Sequence, residues 1–483
     1  MKPKFLFLFA DGWDESAFAA MSALREEFDV VCEGFDLFRF PGNANILWFD
    51  APRWIAGMKR KCRRASLAGV ASTNEQYGAL IAAILARELG LPGSDPAAII
   101  RAQHKYHARQ ALAAALPDAN PAFALLPYAF GSTSVATADP GLPFPFFVKP
   151  VKAAYSVLAR RVDDVHDLRR HLTFRPWESH IIKRLVRPFS DLMRQYAEFA
   201  VDPLHMMGEV LLDGVQINVD GWVDHGVVGF FGIVDAVMYP GTSAFQRFEY
   251  PSRLPDAAQM AAYSVAERAM RAMAFDHGAF NVELFWQPAS NTFHVIEINP
   301  RLAAQFGDLY EKVDGVNPYS VLVDLCVGRT PTWTRGRGAY GAATSFVLRE
   351  FNGAIKIAPD KAEIAWLNTA HPDARLHTFI KHGNSRWRET RWVGNYRYAI
   401  VSLGGADRAD VDRRFADVCR NVSFERDSRI RFAPDIDVLR PGRQRSHSAS
   451  RVQRFAQSPA FDSTGRCAAP GEAHNGTDIA SAM

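Results

Sequence analysis

Four polar residues in the second half of the chain have the types and spacing of a metal and phosphate site. Glu283 lies in an alternating run at residues 280–285, and Glu297, Asn299 and Arg301 follow in the run Glu-Ile-Asn-Pro-Arg. Since side chains at i and i+2 share one face of a strand, we expect Glu297 and Asn299 on the same face. Mg²⁺ binds carboxylate oxygens together with substrate phosphates. The pattern predicts that Glu283, Glu297 and Asn299 bind a metal and that Arg301 offers charge to an anion.

The two runs are joined by residues 288–292, Pro-Ala-Ser-Asn-Thr, whose composition is typical of a turn. A symmetric hairpin would place Glu283 opposite Glu297, where two carboxylates with Cβ atoms roughly 5 Å apart repel each other. A bound cation would remove this repulsion. Two glutamates alone are more often a solvated polar face, but Pro300 ends the second strand directly after the proposed ligands and aims them into a cleft.

Two upstream lysines could supply positive charge to the same cleft. Lys149 ends an apolar strand and is followed by Pro150, so its amine is placed to meet an anion. Lys105 lies at the predicted start of a helix, where a surface position is the more usual one. Ser156, in the loop after Lys149, could bind a phosphate or simply face water.

Together, Glu283, the Glu-Ile-Asn-Pro-Arg run and the Lys-Pro pair resemble the magnesium–ATP signature of the ATP-grasp superfamily. The similarity is to its biotin-carboxylase-like and amino-acid-ligase-like branches, and it covers roughly residues 70–330. The positions that this resemblance assigns to ATP are Lys105, Lys149, Ser156, Glu209, Glu283 and Glu297. Glu209 is expected at the hinge between the two lobes, beside the adenine.

The resemblance also implies a reaction. Mg²⁺, with Mn²⁺ as an alternative, would lie on Glu283, Glu297 and Asn299, and Arg301 would be the catalytic residue that holds the carboxylate or its acyl phosphate. The expected activity is an ATP-dependent carboxylate–amine ligase that forms a carbon–nitrogen bond and releases ADP and phosphate. The substrates would be a small-molecule carboxylate and an amine.

One departure from the family keeps two alternatives open. The family usually has a glycine-rich loop after the Lys-Pro pair, whereas residues 151–156 contain no glycine, and alanine resists the positive φ that glycine allows. The first alternative is an enzyme that activates bicarbonate, as a biotin carboxylase does, or one that activates formate. A free-standing biotin carboxylase is expected to keep the glycines. The second is a non-catalytic protein that binds ATP or a metabolite on the same frame.

The length of 483 residues predicts about three domains in a mixed α/β and α+β arrangement. We expect a doubly wound, Rossmann-like domain at 1–95, with a short strand at 46–49. An ATP-grasp domain is expected at 96–330, with a small lobe at about 105–205 and a large lobe at about 206–330; its helix at 256–275 should pack Met260 into the core. A small β-rich domain at 335–432 and a disordered tail at 441–483 complete the prediction.

The composition excludes several other classes of protein. A hydrophobic content of 48% and a formal net charge of +4 are ordinary for a globular protein and give no reason to expect a nucleic-acid partner. The five cysteines are scattered, which favours the reducing cytoplasm. The apolar run at residues 5–10 is too short for a signal peptide, and no stretch is expected to span a membrane. The sequence is compatible with a homodimer.

Overall fold

The computed structural model describes residues 2–36, 42–63, 65–129, 139–153, 157–351, 356–380 and 393–424. The predicted tail and Ser156 lie outside these ranges. The chain folds as a mixed α/β protein, and the described residues form three sheets, of three, eight and four strands. Among the described helices, none combines the length and the apolar character that crossing a membrane requires.

The N-terminal unit is a parallel sheet in the order β2-β1-β3 with helices packed on it. Its elements are β1 (Lys4–Leu8), α1 (Gly12–Ala20), α2 (Ser22–Glu27), β2 (Asp29–Glu33), α3 (Ala51–Cys62), β3 (Leu67–Ala71) and α4 (Gly78–Leu89). The apolar run of β1 is central and buried, as a parallel strand with both faces covered requires. Helix α4 ends at Gly90, whose φ of 69° closes the last turn.

The strand predicted at residues 46–49 is wrong. Gly42–Leu47 form a 3₁₀ helix, and Phe49 stacks on Tyr77 with ring centroids 5.1 Å apart. Phe9 and Trp54 surround the same pair. The short apolar run therefore packs in part against an aromatic cluster and not in a sheet, a distinction that periodicity alone cannot make.

A four-stranded antiparallel sheet in the order β4-β7-β5-β6 forms the small lobe. This part of the chain contains α5 (Pro96–Gln103), α6 (Lys105–Ala115), β4 (Phe123–Ala129), β5 (Phe146–Pro150), β6 (Arg160–Val162), α7 (Val165–Leu172), α8 (Pro176–Tyr196) and β7 (His205–Val210). The predicted lobe boundary at 206 needs correction, because β7 pairs with both β4 and β5. The small lobe therefore continues to Val210, and the crossover to the next sheet follows it.

The large sheet has eight strands in the order β12-β11-β8-β9-β10-β13-β15-β14. Its first elements are β8 (Val215–Asp224), β9 (Val227–Met238), β10 (Phe245–Tyr250), α9 (Asp256–Ala272), β11 (Gly278–Gln287), β12 (Thr292–Asn299), α10 (Gly307–Asp314) and α11 (Pro318–Cys326). The predicted core position of Met260 is wrong, since this residue is 67% exposed. The buried stripe of α9 is made of Ala258, Ala262, Ala266, Ala269 and Met270.

The C-terminal elements are β13 (Ala342–Glu350), α12 (Lys361–Ala370), β14 (Arg375–Thr378), β15 (Tyr396–Gly405) and α13 (Arg408–Asn421). The predicted small β-rich C-terminal domain is joined to the large sheet. Strand β13 pairs with β10, so the three C-terminal strands extend the large sheet. They do build their own apolar cluster, in which the rings of Phe346 and Phe415 stack with centroids 3.6 Å apart.

Candidate active site

The β11–β12 hairpin at the edge of the large sheet brings the predicted metal ligands together. Asn281 pairs with Asn299 and Glu283 with Glu297, which confirms the expected register of the two glutamates. The register then shifts, because Leu284 pairs with Val295 and leaves Ile296 as an extra residue. Such a bulge bends a strand locally and commonly lies beside functional residues.

Glu283 is held by neutral donors. Gln216 of β8 donates to its Oε2 at 3.0 Å, and the Asn299 amide nitrogen donates to its Oε1 at 3.3 Å. Burial, together with the charges of Glu297 and Glu75, raises the pKa of Glu283 to about 7. A cation between the two facing carboxylates would remove this strain.

Asn299 lies beside Glu283, and its amide nitrogen donates to Asn281 at 3.0 Å as well as to Glu283. A half-turn of this amide would bring its carbonyl oxygen toward a cation at Glu283. Two carboxylates and one amide oxygen form an all-oxygen donor set. Mg²⁺ and Mn²⁺ are ions that such ligands suit, and the residues therefore fit the metal that the sequence predicted.

Helix α6 places Lys105 against Glu297, one of the two facing glutamates. His104 caps the helix by accepting from the His107 main-chain N–H, which puts Lys105 at the first helical position. Its Nζ lies 2.5 Å from Glu297 Oε1 and 2.7 Å from the Ala153 carbonyl oxygen. Although burial lowers the pKa of Lys105, the carboxylates of Glu297 and Glu75 outweigh it and raise that pKa above its usual range. Lys105 is therefore a cation inside the site.

Lys149, at the end of β5, belongs to a buried network centred on Glu209. Its Nζ lies 2.9 Å from Glu209 Oε1 and 3.3 Å from the Ile296 carbonyl oxygen. Arg109 of α6 donates to both oxygens of Glu209, at 2.7 and 3.1 Å. Burial alone would raise the pKa of Glu209, but Arg109 and Lys149 lower it to about 2. Glu209 thus binds two cations of the protein, and its predicted place beside the adenine stays a prediction.

Arg301 leaves the end of β12 and pairs with Glu75, from the loop after β3, at 2.6 Å. Burial raises the pKa of Glu75, but the positive charges of Arg301, Lys105 and Lys152 outweigh burial. The pKa of Glu75 therefore lies below its usual value. The N-terminal unit therefore contributes a carboxylate to the cluster. The guanidinium thus meets an anion of the protein itself, and its predicted contact with a substrate anion stays a prediction.

Lys152, two residues after β5, is a third buried lysine of the cleft. It is 2% exposed, and its Nζ donates to the Glu75 carbonyl oxygen at 3.2 Å and to Gln103 Oε1 at 3.3 Å. It also lies over the Phe189 ring, 4.8 Å from the centroid. Because burial disfavours its charge, its pKa falls to about 7. This lysine lies in the segment that lacks the family's glycines.

The sequence interpretation missed three charged members of this cluster: Glu75, Arg109 and Lys152. Arg109 follows Lys105 by four residues, so helical spacing places both on one face, and this signal could have identified it. Lys152 lies three residues after Lys149, inside the glycine-poor loop. Glu75 carries no local signal, since only the packing of the N-terminal unit brings it to Arg301.

Comparison with known proteins gives one match among curated sequences. The uncharacterized protein y4rH of Sinorhizobium fredii is 30% identical over 249 residues, which are 52% of this chain and 46% of that protein. The chain thus spans about half the length of its curated relative. No protein-family model matches the chain.

Solved structures match over most of the chain. The L-amino acid ligase of Bacillus licheniformis aligns with a TM-score of 0.64 at 15% identity, over 88% of this chain and 100% of that one. The biotin carboxylase of Campylobacter jejuni aligns with a TM-score of 0.58 at 14% identity, over 87% and 92%. The N5-carboxyaminoimidazole synthetase of Staphylococcus aureus, solved with ADP, aligns with a TM-score of 0.58 at 14% identity, over 86% and 98%. At these identities the likeness concerns the fold, and on that basis the chain has the fold of the ATP-grasp ligases.

Proposed function

We propose that the protein is an ATP-dependent ligase that joins a small-molecule carboxylate to an amine. The observation that supports this most is the pairing of Glu283 with Glu297 across the hairpin, with Lys105 against Glu297 from the other lobe. Opposed carboxylates beside a lysine form a site for a divalent cation and a polyphosphate. The L-amino acid ligase among the structural neighbours carries the same fold.

Phosphoryl transfer requires mainly positioning and neutralisation of charge, with little covalent work by the protein. Glu283, Glu297 and Asn299 would hold Mg²⁺ or Mn²⁺, which neutralises phosphate oxygens when bound. Lys105 and Lys149 would bind phosphate oxygens that the metal leaves uncovered. Both lysines are held by protein carboxylates, so an arriving polyphosphate would share them or replace those partners.

Arg301 would orient the carboxylate that attacks the γ-phosphorus. Its guanidinium lies between the metal-binding hairpin and Glu75, and an anion at this point would be close to both. The attack forms an acyl phosphate and releases ADP. The amine then attacks the acyl carbon, loses a proton and displaces phosphate, so that one carbon–nitrogen bond forms for each ATP consumed.

A non-catalytic ATP-binding protein is the second candidate, favoured by one observation. Lys105 and Lys149 already have carboxylate partners within the protein, and residues 151–156 contain no glycine to close over phosphates. This candidate predicts that ATP binds without being converted to ADP.

The experiment is a screen for ADP release with Mg²⁺, ATP and pools of amino acids and other carboxylic acids. A separate reaction contains bicarbonate and biotin. We expect release that depends on an amino-acid pool, is lost in Glu297→Gln and is retained in Glu267→Gln, an exposed glutamate of α9. ATP binding without ADP release in any pool would support the second candidate. Release that requires bicarbonate and biotin would move the assignment to a carboxylase.

A further inference from the structure

A second cluster of metal-binding side chains lies at the tip of the β8–β9 hairpin. Asp224 ends β8, His225 begins the turn, and His277 precedes β11. Because Val223 pairs with Gly278, the antiparallel register puts Asp224 opposite His277. The pairing of two central strands therefore brings the three side chains together.

The distances between the facing atoms suit a small ion. Asp224 Oδ1 lies 2.8 Å from His225 Nδ1 and 3.9 Å from His277 Nε2, and one ligand atom of each residue lies within 4.8 Å of the others. With metal–ligand bonds of about 2.0–2.1 Å, tetrahedral geometry separates ligand atoms by about 3.3 Å. The observed values lie on both sides of that distance, so small side-chain rotations would complete the geometry.

Asp276 lies beside Nδ1 of His277, the ring nitrogen that does not face Asp224. Its Oδ1 lies 3.5 Å from His277 Nδ1 and accepts hydrogen bonds from the main-chain N–H groups of His277 and Gly226. A carboxylate on the far nitrogen of a histidine ligand is the usual support of a zinc site, since it fixes the ring orientation and the tautomer. The same carboxylate ties the hairpin tip to the loop before β11.

The exposure of the cluster leaves room for a further ligand. The Asp224 side chain is 14% exposed and that of His277 is 26% exposed, whereas His225 reaches solvent at 76%. In metal sites with three protein ligands and one side open to water, a solvent molecule commonly completes the coordination. Two imidazoles and one carboxylate favour Zn²⁺, Co²⁺, Ni²⁺ or Cu²⁺ over Mg²⁺.

We propose that Asp224, His225 and His277 form a binding site for a transition-metal ion of the zinc class, with Asp276 supporting His277. The site is distinct from the hairpin that carries Glu283. Glu283 and Gly278 are five residues apart on β11, which is roughly 17 Å along an extended strand. The bound ion would clamp the β8–β9 tip to the start of β11.

The test is a titration of the full chain with ZnCl₂ in the presence of excess Mg²⁺. We expect His225→Gln and His277→Gln each to bind one equivalent of Zn²⁺ fewer than the wild type. His180→Gln, which changes an exposed histidine of α8, should bind as the wild type does. Asp276→Asn should keep the site but weaken it about 10- to 100-fold. Far-UV circular dichroism verifies that each variant is folded.

Cobalt gives an independent readout. Co²⁺ added to the wild type should produce the visible absorption of a four-coordinate ion, and His277→Gln and Asp224→Asn should not show it. Equal zinc stoichiometry in the wild type and in both histidine variants would overturn the proposal. So would a wild type that takes up no Zn²⁺ beyond the level of His277→Gln.

Discussion

Lys152 is buried beside the Glu75–Arg301 ion pair, yet the acceptors it contacts in the described chain are two neutral oxygen atoms. A buried ammonium without a carboxylate at hydrogen-bond distance is costly, which is why its pKa falls to about 7. The lysine therefore destabilises the folded protein when it is charged. An anion bound in the cleft would reduce that penalty, which gives this residue a place in binding as well as in stability.

We predict that Lys152→Met stabilises the protein more at pH 6 than at pH 9. A lysine whose pKa is lower in the folded than in the unfolded state carries its full penalty below the folded pKa, about 7. The penalty shrinks as the pH rises from there toward the unfolded pKa. The difference in the gain between the two pH values should be on the order of 2 kcal/mol, measured by urea unfolding. Lys183→Met, at an exposed lysine of α8, should show no such difference.

The sequence allowed the paired glutamates to be predicted because the alternation and the turn are local. Counting outward from the turn places Glu283 near Glu297 before any fold is known. Glu75 could not be placed in this way, since it lies 226 residues before Arg301 and its pairing depends on how the N-terminal unit packs. Ion pairs made by tertiary contact leave no period in the sequence.

At the scale of elements, Arg109 joins α6 to both lobes. It holds Glu209 on β7 and donates to the carbonyl oxygens of Val295 and Ile296 on β12, at 2.7 and 2.8 Å. One guanidinium can reach two successive carbonyls because the extra residue at Ile296 bends the strand. The bulge and the arginine together set how the small lobe lies against the β11–β12 hairpin.

We predict that Arg109→Lys destabilises the protein by about 3 kcal/mol, because a lysine keeps the charge but cannot bind two carboxylate oxygens and two carbonyls. Urea unfolding is the measurement. Arg271→Lys is the matched control, since Arg271 pairs with Glu267 on the exposed face of α9, and it should change stability by no more than about 0.5 kcal/mol. Equal effects of the two substitutions would contradict the role given to Arg109.

A glycine in the large sheet provides a second prediction at this scale. A Cβ atom on Gly221 of β8 would lie 2.3 Å from the Gly229 carbonyl oxygen, a main-chain atom of β9. Gly221→Ala should therefore destabilise by about 1–3 kcal/mol in urea unfolding. Gly57→Ala, inside α3 with no atom within 4 Å of the added Cβ, should instead be neutral or stabilising. A neutral Gly221→Ala would show that β8 and β9 can move apart.

The elements that the sequence predicted well have strong local signals: the apolar strand β1, the helix that Gly90 ends, and the β11–β12 hairpin. The sequence could not predict which strands, distant in the chain, pair with each other. Nothing in residues 205–210 distinguishes a strand of the small lobe from one of the large lobe. The C-terminal strands likewise join the large sheet through β10, about a hundred residues earlier in the chain. Strand order depends on tertiary packing, which local pattern does not encode.

At the scale of the whole molecule, three regions of the chain surround the cleft. The N-terminal unit contributes Glu75, and it contacts the large sheet where the ring of Trp13 stacks on His377 of β14, with centroids 3.6 Å apart. Tyr319 of α11 donates to the buried Asp14 of α1 at 2.5 Å. A ligand in the cleft would therefore contact parts that fold together, and its binding should stabilise the molecule as a unit.

We predict that Mg²⁺ and ATP together raise the melting temperature, whereas either alone has a smaller effect. A ligand that binds only the folded state at 100 times its Kd contributes about 2.7 kcal/mol. Differential scanning fluorimetry with and without EDTA is the measurement, and Glu297→Gln should lose the shift that depends on magnesium. If neither Mg²⁺ nor ATP, alone or together, changes the melting temperature of the wild type, the proposed nucleotide site is contradicted, whatever the ligase substrate is.

The hairpin that carries Glu297 is also the last pair of strands in its sheet, since among the described strands β12 has a neighbour on one side only. The free main-chain groups of an edge strand can pair with a strand of another chain, and proteins commonly prevent this with charged side chains. Here Arg109 and Lys149 occupy carbonyl oxygens of that border. The two side chains thus also protect this border against self-association, and variants lacking them should be prone to aggregate even where their stability is restored.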